Sequence, residues 1–171
     1  MTLTHPLVAQ LRFTRSEFNR SLKGLSDEEA SRRFGPMNCI SWNVGHLAWQ
    51  EQQYFLAYGQ GQVLLPAIHR LFASGAPASA PALREIVADY ATITNAADAW
   101  LDSLTSEALE RPFTRHDGQP GRRTFGSLLQ RVIYHYWYHL GENMAIRQLL
   151  GHSRLPQFVG NIDEKAPYRP G

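Results

Sequence analysis

The length, composition and charge of the chain restrict the classes of protein to which it can belong. Its 171 residues, 43% of them hydrophobic, are enough for one domain with one sizeable core. The net charge is only +2 and the Arg and Lys residues are scattered singly, so the basic stripe needed for nucleic-acid or anionic-membrane binding is absent from the sequence. We therefore expect a single domain over residues 1–171, with neither a nucleic-acid nor a membrane partner.

The cysteine content and the N-terminal residues indicate the cellular compartment. Cys39 is the single cysteine, which excludes an intramolecular disulfide and is typical of a chain in a reducing compartment. Residues 1–12 lack the continuous apolar segment of a signal peptide, and no run approaches the roughly 18 apolar residues of a membrane span. A cytoplasmic protein is the expectation.

Two helices are predicted in the N-terminal part of the chain. Apolar residues recur at helical spacing over residues 6–23, which predicts a first long helix. Ser26 followed by Glu29 has the form of a capping box, which predicts a short helix through Arg33. This short helix would connect the first long helix to the second.

The middle of the chain predicts two more long helices. The second long helix begins near Ser41, interpreted as its N-cap, runs to Gly59 and contains His46. A short helical piece over residues 65–72 and a linker of small residues follow. The apolar series over residues 83–104 is the clearest amphipathic pattern in the sequence and predicts the third long helix.

A polar segment and a last long helix are predicted in the C-terminal part. Residues 111–123 contain several Pro and Gly residues, which favours an exposed loop or a short hairpin around Asp117 and Gly118. Thr124 then caps a helix over residues 125–150, which ends where a glycine follows.

The four long helices determine the predicted fold class. Convincing period-2 patterns of strands are absent from the sequence. Four amphipathic helices joined by connections of mixed length predict an all-α, up-and-down four-helix bundle. Its core covers about residues 4–151, and the tail over residues 152–171 either wraps the surface or is loose.

Three histidines are candidates for a metal site. His135 and His139 are four residues apart in the last helix, which places both imidazoles on one face with their Cβ atoms about 5–6 Å apart. Such a pair also arises by chance on an aromatic-rich face, so the spacing alone leaves both interpretations open. His46 lies among aromatic and aliphatic residues of the second helix, where the alternative to a ligand is a hydrogen-bonded core histidine.

The amino-acid sequences of the two segments that contain these histidines resemble those of the DinB superfamily. The matching stretches are residues 41–51 (SWNVGHLAWQE) and 135–151 (HYWYHLGENMAIRQLLG), and the resemblance extends from the first helix to the end of the last. It implies a four-helix bundle that holds a divalent metal ion, commonly zinc or nickel, between His46, His135 and His139, with water completing the coordination.

One residue departs from the pattern of the superfamily. Glu142 stands where these proteins often have glutamine, so it is a candidate fourth ligand or a neighbour of the site. Three neutral imidazoles and an open position are typical of catalytic zinc sites, in which the ion lowers the pKa of a bound water or thiol.

Several further side chains have two interpretations each. Gln50 and Gln53 could hydrogen-bond an imidazole or a bound water, or belong to a solvated helix face. Arg131 could bind a substrate carboxylate, or form a salt bridge with Glu142 or a neighbouring helix. Cys39 is interpreted as a small buried thiol.

The remaining histidines are weaker candidates and are left out of the predicted site: His5, His69, His116 and His152. The aromatic residues beside the three candidate ligands are interpreted first as core or pocket wall, and second as a surface on which a ligand stacks.

The resemblance implies two classes of function. The first is a metal-dependent transferase, or a related hydrolase or isomerase, in which the metal activates a low-molecular-weight thiol such as bacillithiol or mycothiol for attack on an electrophilic substrate. The second is a non-enzymatic, stress-related bundle in which the metal is structural or a small ligand is only bound. A homodimer is also an expectation of the resemblance.

Overall fold

Helices dominate the computed structural model, which describes residues 4–115, 117–157 and 159–169. About 63% of the described residues are helical, so the prediction of a mainly helical fold is confirmed. The longest helices are α1 (Pro6–Ser21), α3 (Ile40–Glu51), α5 (Leu83–Asp102) and α7 (Phe125–Leu149). Short helices connect or follow them: α2 (Asp27–Ser31), α4 (Pro66–Phe72), α6 (Ser106–Glu110) and α8 (Ile162–Lys165).

The predicted caps form at two helix starts and one helix end. At α2, the side chain of Ser26 accepts from the N–H of Glu29 and the Glu29 carboxylate accepts from the N–H of Ser26, which completes the capping box. The Thr124 hydroxyl likewise accepts from the N–H of Ser127 at the start of α7. Gly151 follows α7 with a φ of 87°, a conformation that glycine adopts at little cost.

The second long helix differs from its prediction in two ways. It begins at Ile40, and its N-cap is Cys39, which makes no side-chain cap hydrogen bond; the prediction of Ser41 as N-cap is therefore wrong. The chain changes to π-helical geometry over Gln52–Tyr58. The buried Gln52 side chain accepts from the N–H groups of Leu64 and Leu65, and so ties this π-helical segment to the residues that precede α4.

The polar segment before α7 forms a hairpin. Strands β1 (Pro112–Thr114) and β2 (Pro120–Thr124) pair antiparallel, with Pro112 opposite Thr124 and Thr114 opposite Pro120. The hairpin was one of the two alternatives for this segment, and it corrects the expectation of an all-α fold. His116, one of the weaker histidine candidates, lies outside the described residues.

Buried side chains of the long helices form a common core. Helix α3 packs against α5 and α7, and α1 packs against α7. The largest fully buried side chains include Phe18, Phe55 and Tyr136. The described part of the tail packs on α1, where Gln10 donates a hydrogen bond of 2.7 Å to the carbonyl oxygen of the buried Ala166. None of the described helices is long and apolar enough to cross a membrane.

A polar network crosses this core and links four helices. Glu51 on α3 is 0% exposed and forms an ion pair with Arg15 of α1, whose Nε donates to Oε1 over 2.9 Å. Arg15 also pairs with Asp98 of α5 at 2.7 Å. The Tyr136 hydroxyl of α7 donates to Glu51 over 2.6 Å and lies 2.9 Å from the Tyr90 hydroxyl of α5. Because every buried charge has a partner, the network avoids the cost of an unpaired ion in the core.

Candidate metal centre

Two of the three candidate ligands lie one turn apart on α7. Their spacing brings the Nε2 atoms of His135 and His139 to within 3.0 Å of each other, with ring centroids 4.5 Å apart. Two imidazole nitrogens bound to one tetrahedral zinc at about 2.0–2.1 Å are separated by about 3.3 Å. The pair on α7 is therefore close to the spacing of two ligands of one ion.

The third candidate ligand comes from α3, which packs against this part of α7. The His46 ring centroid lies 4.9 Å from that of His135 and 5.3 Å from that of His139. Each of the three side chains offers one nitrogen within 4.8 Å of the others. The fold thus brings together the three histidines that the sequence predicted as ligands, and they can hold one metal ion.

A backbone carbonyl sets the orientation of His46. Its Nδ1 lies 2.6 Å from the carbonyl oxygen of Phe72, the last residue of α4. Because a carbonyl oxygen can only accept, Nδ1 carries the proton and Nε2 keeps a lone pair for an ion. The ring is also stacked between Trp42 and Trp49, with centroid distances of 4.6 and 5.2 Å.

Side-chain acceptors orient the two histidines of α7. His135 Nδ1 donates to Oε1 of Gln50 over 2.9 Å, and His139 Nδ1 donates to Oε2 of Glu142 over 2.8 Å. Each ring therefore has its Nδ1 against an acceptor, and the two Nε2 atoms face each other. Hydrogen-bonded partners of this kind typically fix the tautomer and the ring plane of metal-binding histidines.

The electrostatics of the site favour neutral imidazoles. Burial lowers the pKa of His135 to about 3, with smaller contributions from the positive potentials of His139, His46 and Arg131. Burial also lowers the pKa of His46. The Nε2 atoms of His135 and His139 lie 3.0 Å apart, close enough for both to bind one cation. The donor set therefore fits a divalent metal ion.

A small-residue contact sets the distance between α3 and α4. A Cβ atom at Gly45 would lie 2.6 Å from the ring of Phe72, far inside van der Waals contact. The absence of a side chain at Gly45 lets Phe72 approach α3, and its carbonyl then reaches His46. Trp49 donates over 3.0 Å to Nδ1 of His69, which places this weaker candidate beside the site and not among the ligands.

An open cleft borders the histidines. Its volume is about 690 Å³, and His46, His135 and Gln50 form one side of it. Aromatic side chains form much of the remainder, among them Trp49, Tyr54, Tyr134 and Tyr138. His139 lies deeper, 4% exposed and outside the cleft lining. A molecule in the cleft can therefore approach the point at which the three rings converge.

The other predicted neighbours of the site differ in position. Glu142 accepts from His139 and, over 2.9 Å, from Nδ2 of Asn43, so it contacts the ring edge that faces away from the common point. Arg131 is exposed and lines the cleft, and no ion pair joins it to Glu142 or to another described residue. Gln53 is half-buried and, among the described residues, makes no hydrogen bond to the three histidines.

Two residues outside the predicted ligand set have their own partners. Cys39 is 0% exposed and its Sγ lies 3.4 Å from the Ser41 hydroxyl, outside the metal-binding cluster of the described residues. His152 contacts Arg147 and lies 3.0 Å from the carboxylate of Glu29. The partner of His46, the carbonyl oxygen of Phe72 on α4, was not predicted, because a backbone carbonyl 26 residues away leaves no signal in the sequence.

The fold and the site define a mainly helical protein with three histidines placed to hold one metal ion. Residues 10–142 match the model of the DinB superfamily, and the chain belongs to that superfamily. Among solved structures, a conserved protein from Enterococcus faecalis is similar in fold, with a TM-score of 0.65 and 18% identity over 89% of this chain and 99% of that one. The comparison with curated proteins finds no match.

Proposed function

We propose that the chain is a cytoplasmic, metal-dependent thiol transferase built on a DinB-type four-helix bundle. In this proposal His46, His135 and His139 hold one divalent ion, zinc or nickel, and a low-molecular-weight thiol attacks an electrophilic substrate. The observation that carries it is the convergence of three imidazole nitrogens beside an open cleft, with no thiol or carboxylate in the cluster among the described residues.

The open position is what distinguishes this donor set from a structural site. Structural zinc sites use four protein ligands, whereas catalytic sites use three and leave one position for a small molecule. A divalent ion held here would act as a Lewis acid that lowers the pKa of a thiol in that position. Such a reaction requires no protein nucleophile, which agrees with the buried position of Cys39.

The side chains around the histidines have positioning roles in this proposal. Gln50 and Glu142 accept from Nδ1 of His135 and His139, which favours the tautomer that leaves Nε2 for the metal ion. The thiol proton leaves to solvent through the cleft, a carbon–sulfur bond forms, and the bond from that carbon to its leaving group breaks. Trp49 and Tyr54 line the cleft beside the reacting groups.

Cobalt substitution tests this proposal. The protein is loaded with Co²⁺, and 2-mercaptoethanol or cysteamine is added while the near-ultraviolet spectrum and the consumption of 1-chloro-2,4-dinitrobenzene are followed. We expect a sulfur-to-cobalt charge-transfer band and thioether formation faster than the uncatalysed reaction in the wild type, and neither the band nor the acceleration in His135→Ala. A cobalt spectrum that no thiol perturbs would contradict the transferase function.

The burial of two ligands favours one alternative. His46 and His139 are 8% and 4% exposed, and the ion would link α3 to α7, which suits a structural role in a non-enzymatic protein. The same experiment separates the two functions. A structural ion gives a cobalt spectrum of fixed coordination that is insensitive to thiols, together with a large loss of thermal stability when the metal is removed.

A further inference from the structure

Arg131 is the one Arg or Lys side chain among the described residues that line the cleft. Arg131 lines the cleft and is exposed, and among the described residues that line it there is no carboxylate. No ion pair joins Arg131 to another described residue. A divalent ion at the histidines would add to this charge, so the cleft has the electrostatic character of a site for an anion.

The position of Arg131 relative to the histidines is fixed by α7. Arg131 precedes His135 by one helical turn, so the Cβ atoms of the two residues lie about 5–6 Å apart on one face. A guanidinium group binds a carboxylate through two parallel hydrogen bonds, a geometry that lysine cannot reproduce. Ser127 and Gln130, which also line the cleft, can donate to the same anion.

Aromatic side chains flank this cation. Tyr134 and Tyr138 follow Arg131 along α7 and line the cleft, although 70% and 71% of their surfaces are exposed. Trp49 faces them from α3. The cleft therefore joins an apolar, aromatic wall to one cationic end, which suits an organic anion better than a neutral sugar or an inorganic ion.

We propose that Arg131 is the anion-recognition residue of the cleft, so that the molecule bound there carries a carboxylate about one helical turn from the three histidines. This assignment rests on the proposed function in placing the sulfur end of that molecule at the histidines. Arg131 selects among ligands by their charge, and it takes no part in activating the sulfur.

Matched pairs of thiols test the assignment. The cobalt-loaded protein is titrated with 3-mercaptopropionate, 4-mercaptobutyrate and 6-mercaptohexanoate, and with the mercaptoalcohols of equal length. The dissociation constants are taken from the charge-transfer band. We expect the acid of best-fitting length to bind about tenfold more tightly than its alcohol, because a charge-assisted hydrogen-bond pair is formed with Arg131.

Three variants distinguish a direct contact between Arg131 and the carboxylate from an effect of the net charge of the protein. Arg131→Gln should remove the preference for acids while leaving the affinity for the alcohols unchanged, and Arg131→Lys should restore only part of it. Arg123→Gln removes the same charge from an exposed position outside the cleft and should retain the full preference. If Arg131→Gln keeps the preference, or if acids and alcohols bind equally well, the assignment is wrong while the thiol chemistry stands.

A measurement without thiols tests the anion subsite at Arg131 in the case that no thiol changes the cobalt spectrum. The metal-free protein is titrated with 4-phenylbutyrate and 4-phenyl-1-butanol, followed by tryptophan fluorescence. Tighter binding of the acid that depends on Arg131 supports the anion subsite even if the transferase function fails. Equal binding of the acid and the alcohol overturns the anion subsite.

Discussion

At the residue scale, each of the three histidines is held by an acceptor of a different chemical type. His46 donates to a backbone carbonyl, His135 to an amide and His139 to a carboxylate. A negatively charged acceptor increases the basicity of the imidazole most, so His139 is expected to be the strongest donor to an ion. The three bonds together give all rings the same tautomer, with Nε2 free.

The Glu142–His139 contact gives the first prediction. Glu142→Gln keeps an acceptor for His139 and removes the negative charge, so metal affinity should fall about tenfold and the preference among zinc, nickel and cobalt should change. The melting temperature of the metal-free protein should change little. Competition with a chromophoric chelator measures the affinities. Glu28→Gln, an exposed change on α2, is the control; equal affinities for the two variants would make Glu142 an ordinary surface residue.

The lowered pKa values of two histidines predict a pH dependence of stability. Folded, metal-free protein keeps His135 neutral down to about pH 3 and also disfavours protonation of His46, whereas both take up protons near pH 6.5 in the unfolded chain. The unfolded state therefore binds more protons, and the free energy of unfolding falls as the pH decreases from about 7 to about 5.

Denaturant titrations in the presence of a chelator measure this dependence. His135→Gln removes one of the two groups, so its free energy of unfolding should fall less steeply over the same pH interval than that of the wild type. Equal slopes for the two proteins would show that His135 is protonated in the folded state.

At the scale of elements, the short helix α4 determines the geometry of a ligand on the long helix α3. Phe72 is 2% exposed, so protein atoms surround its ring on nearly all sides. Its carbonyl oxygen is the acceptor for His46. The close approach of the two helices at Gly45 thus contributes to the geometry of the candidate metal centre.

A pair of glycine substitutions tests the role of this approach. Gly45→Ala places a methyl group 2.6 Å from the Phe72 ring, so it should destabilise the protein by about 1–3 kcal/mol and weaken metal binding. Gly141→Ala on α7 meets no atom within 4 Å and should be neutral or stabilising by up to about 1 kcal/mol. Thermal melts and metal titrations of both variants measure the effects. Normal metal affinity in a folded Gly45→Ala protein would contradict this role for α4.

The elements themselves were largely predictable from local signals. Apolar periodicity and caps at Ser26 and Thr124 predicted the helix positions, because these signals depend on residues a few positions apart. The predicted start of α3 was wrong. Serine is a favourable N-cap residue, but the N-cap of this helix is Cys39, two residues before Ser41. The π-helical segment depends on contacts of Gln52 with residues before α4, which local patterns do not encode.

At the scale of the whole molecule, the network around Glu51 connects the framework to the metal centre. It joins α1, α3, α5 and α7, and two of its members are direct neighbours of site residues: Glu51 follows Gln50, and Tyr136 follows His135. The positions of α3 and α7 relative to each other therefore depend on it. The network was not predicted, since the helical pattern assigns a charge to the surface unless its partners are known.

Removal of one charge from this network gives the prediction at this scale. Glu51→Gln leaves Arg15 with the half-buried Asp98 as its only charged partner and should cost about 3–5 kcal/mol in the free energy of unfolding. Glu107→Gln disrupts the exposed ion pair with Arg111 and should cost less than about 0.5 kcal/mol. Denaturant titrations compare the two. Similar small losses in both variants would show that the buried network contributes little to stability.

The three histidines that converge in the candidate site could be predicted from the sequence, and their surroundings less so. His135 and His139 follow from their spacing on one helix, and His46 follows from the resemblance to the DinB superfamily. Their convergence depends on the packing of α3 against α7, and their orientation on acceptors from α3, α4 and α7. Such contacts arise only in the folded chain. Residue types and spacing therefore identified Gln50 and Glu142 as candidate neighbours of the histidines, but not the atoms that they contact.

The most direct test of the account is the metal content of the protein purified without an affinity tag. The wild type and four single variants, His46→Ala, His135→Ala, His139→Ala and His152→Ala, are dialysed against zinc and analysed by inductively coupled plasma mass spectrometry. We predict about one ion per chain for the wild type and His152→Ala, and a large loss of the ion in the other three variants, because each removes one of three ligands. Wild-type metal content in all four variants, or none in the wild type, would contradict the assignment of these three histidines to one ion.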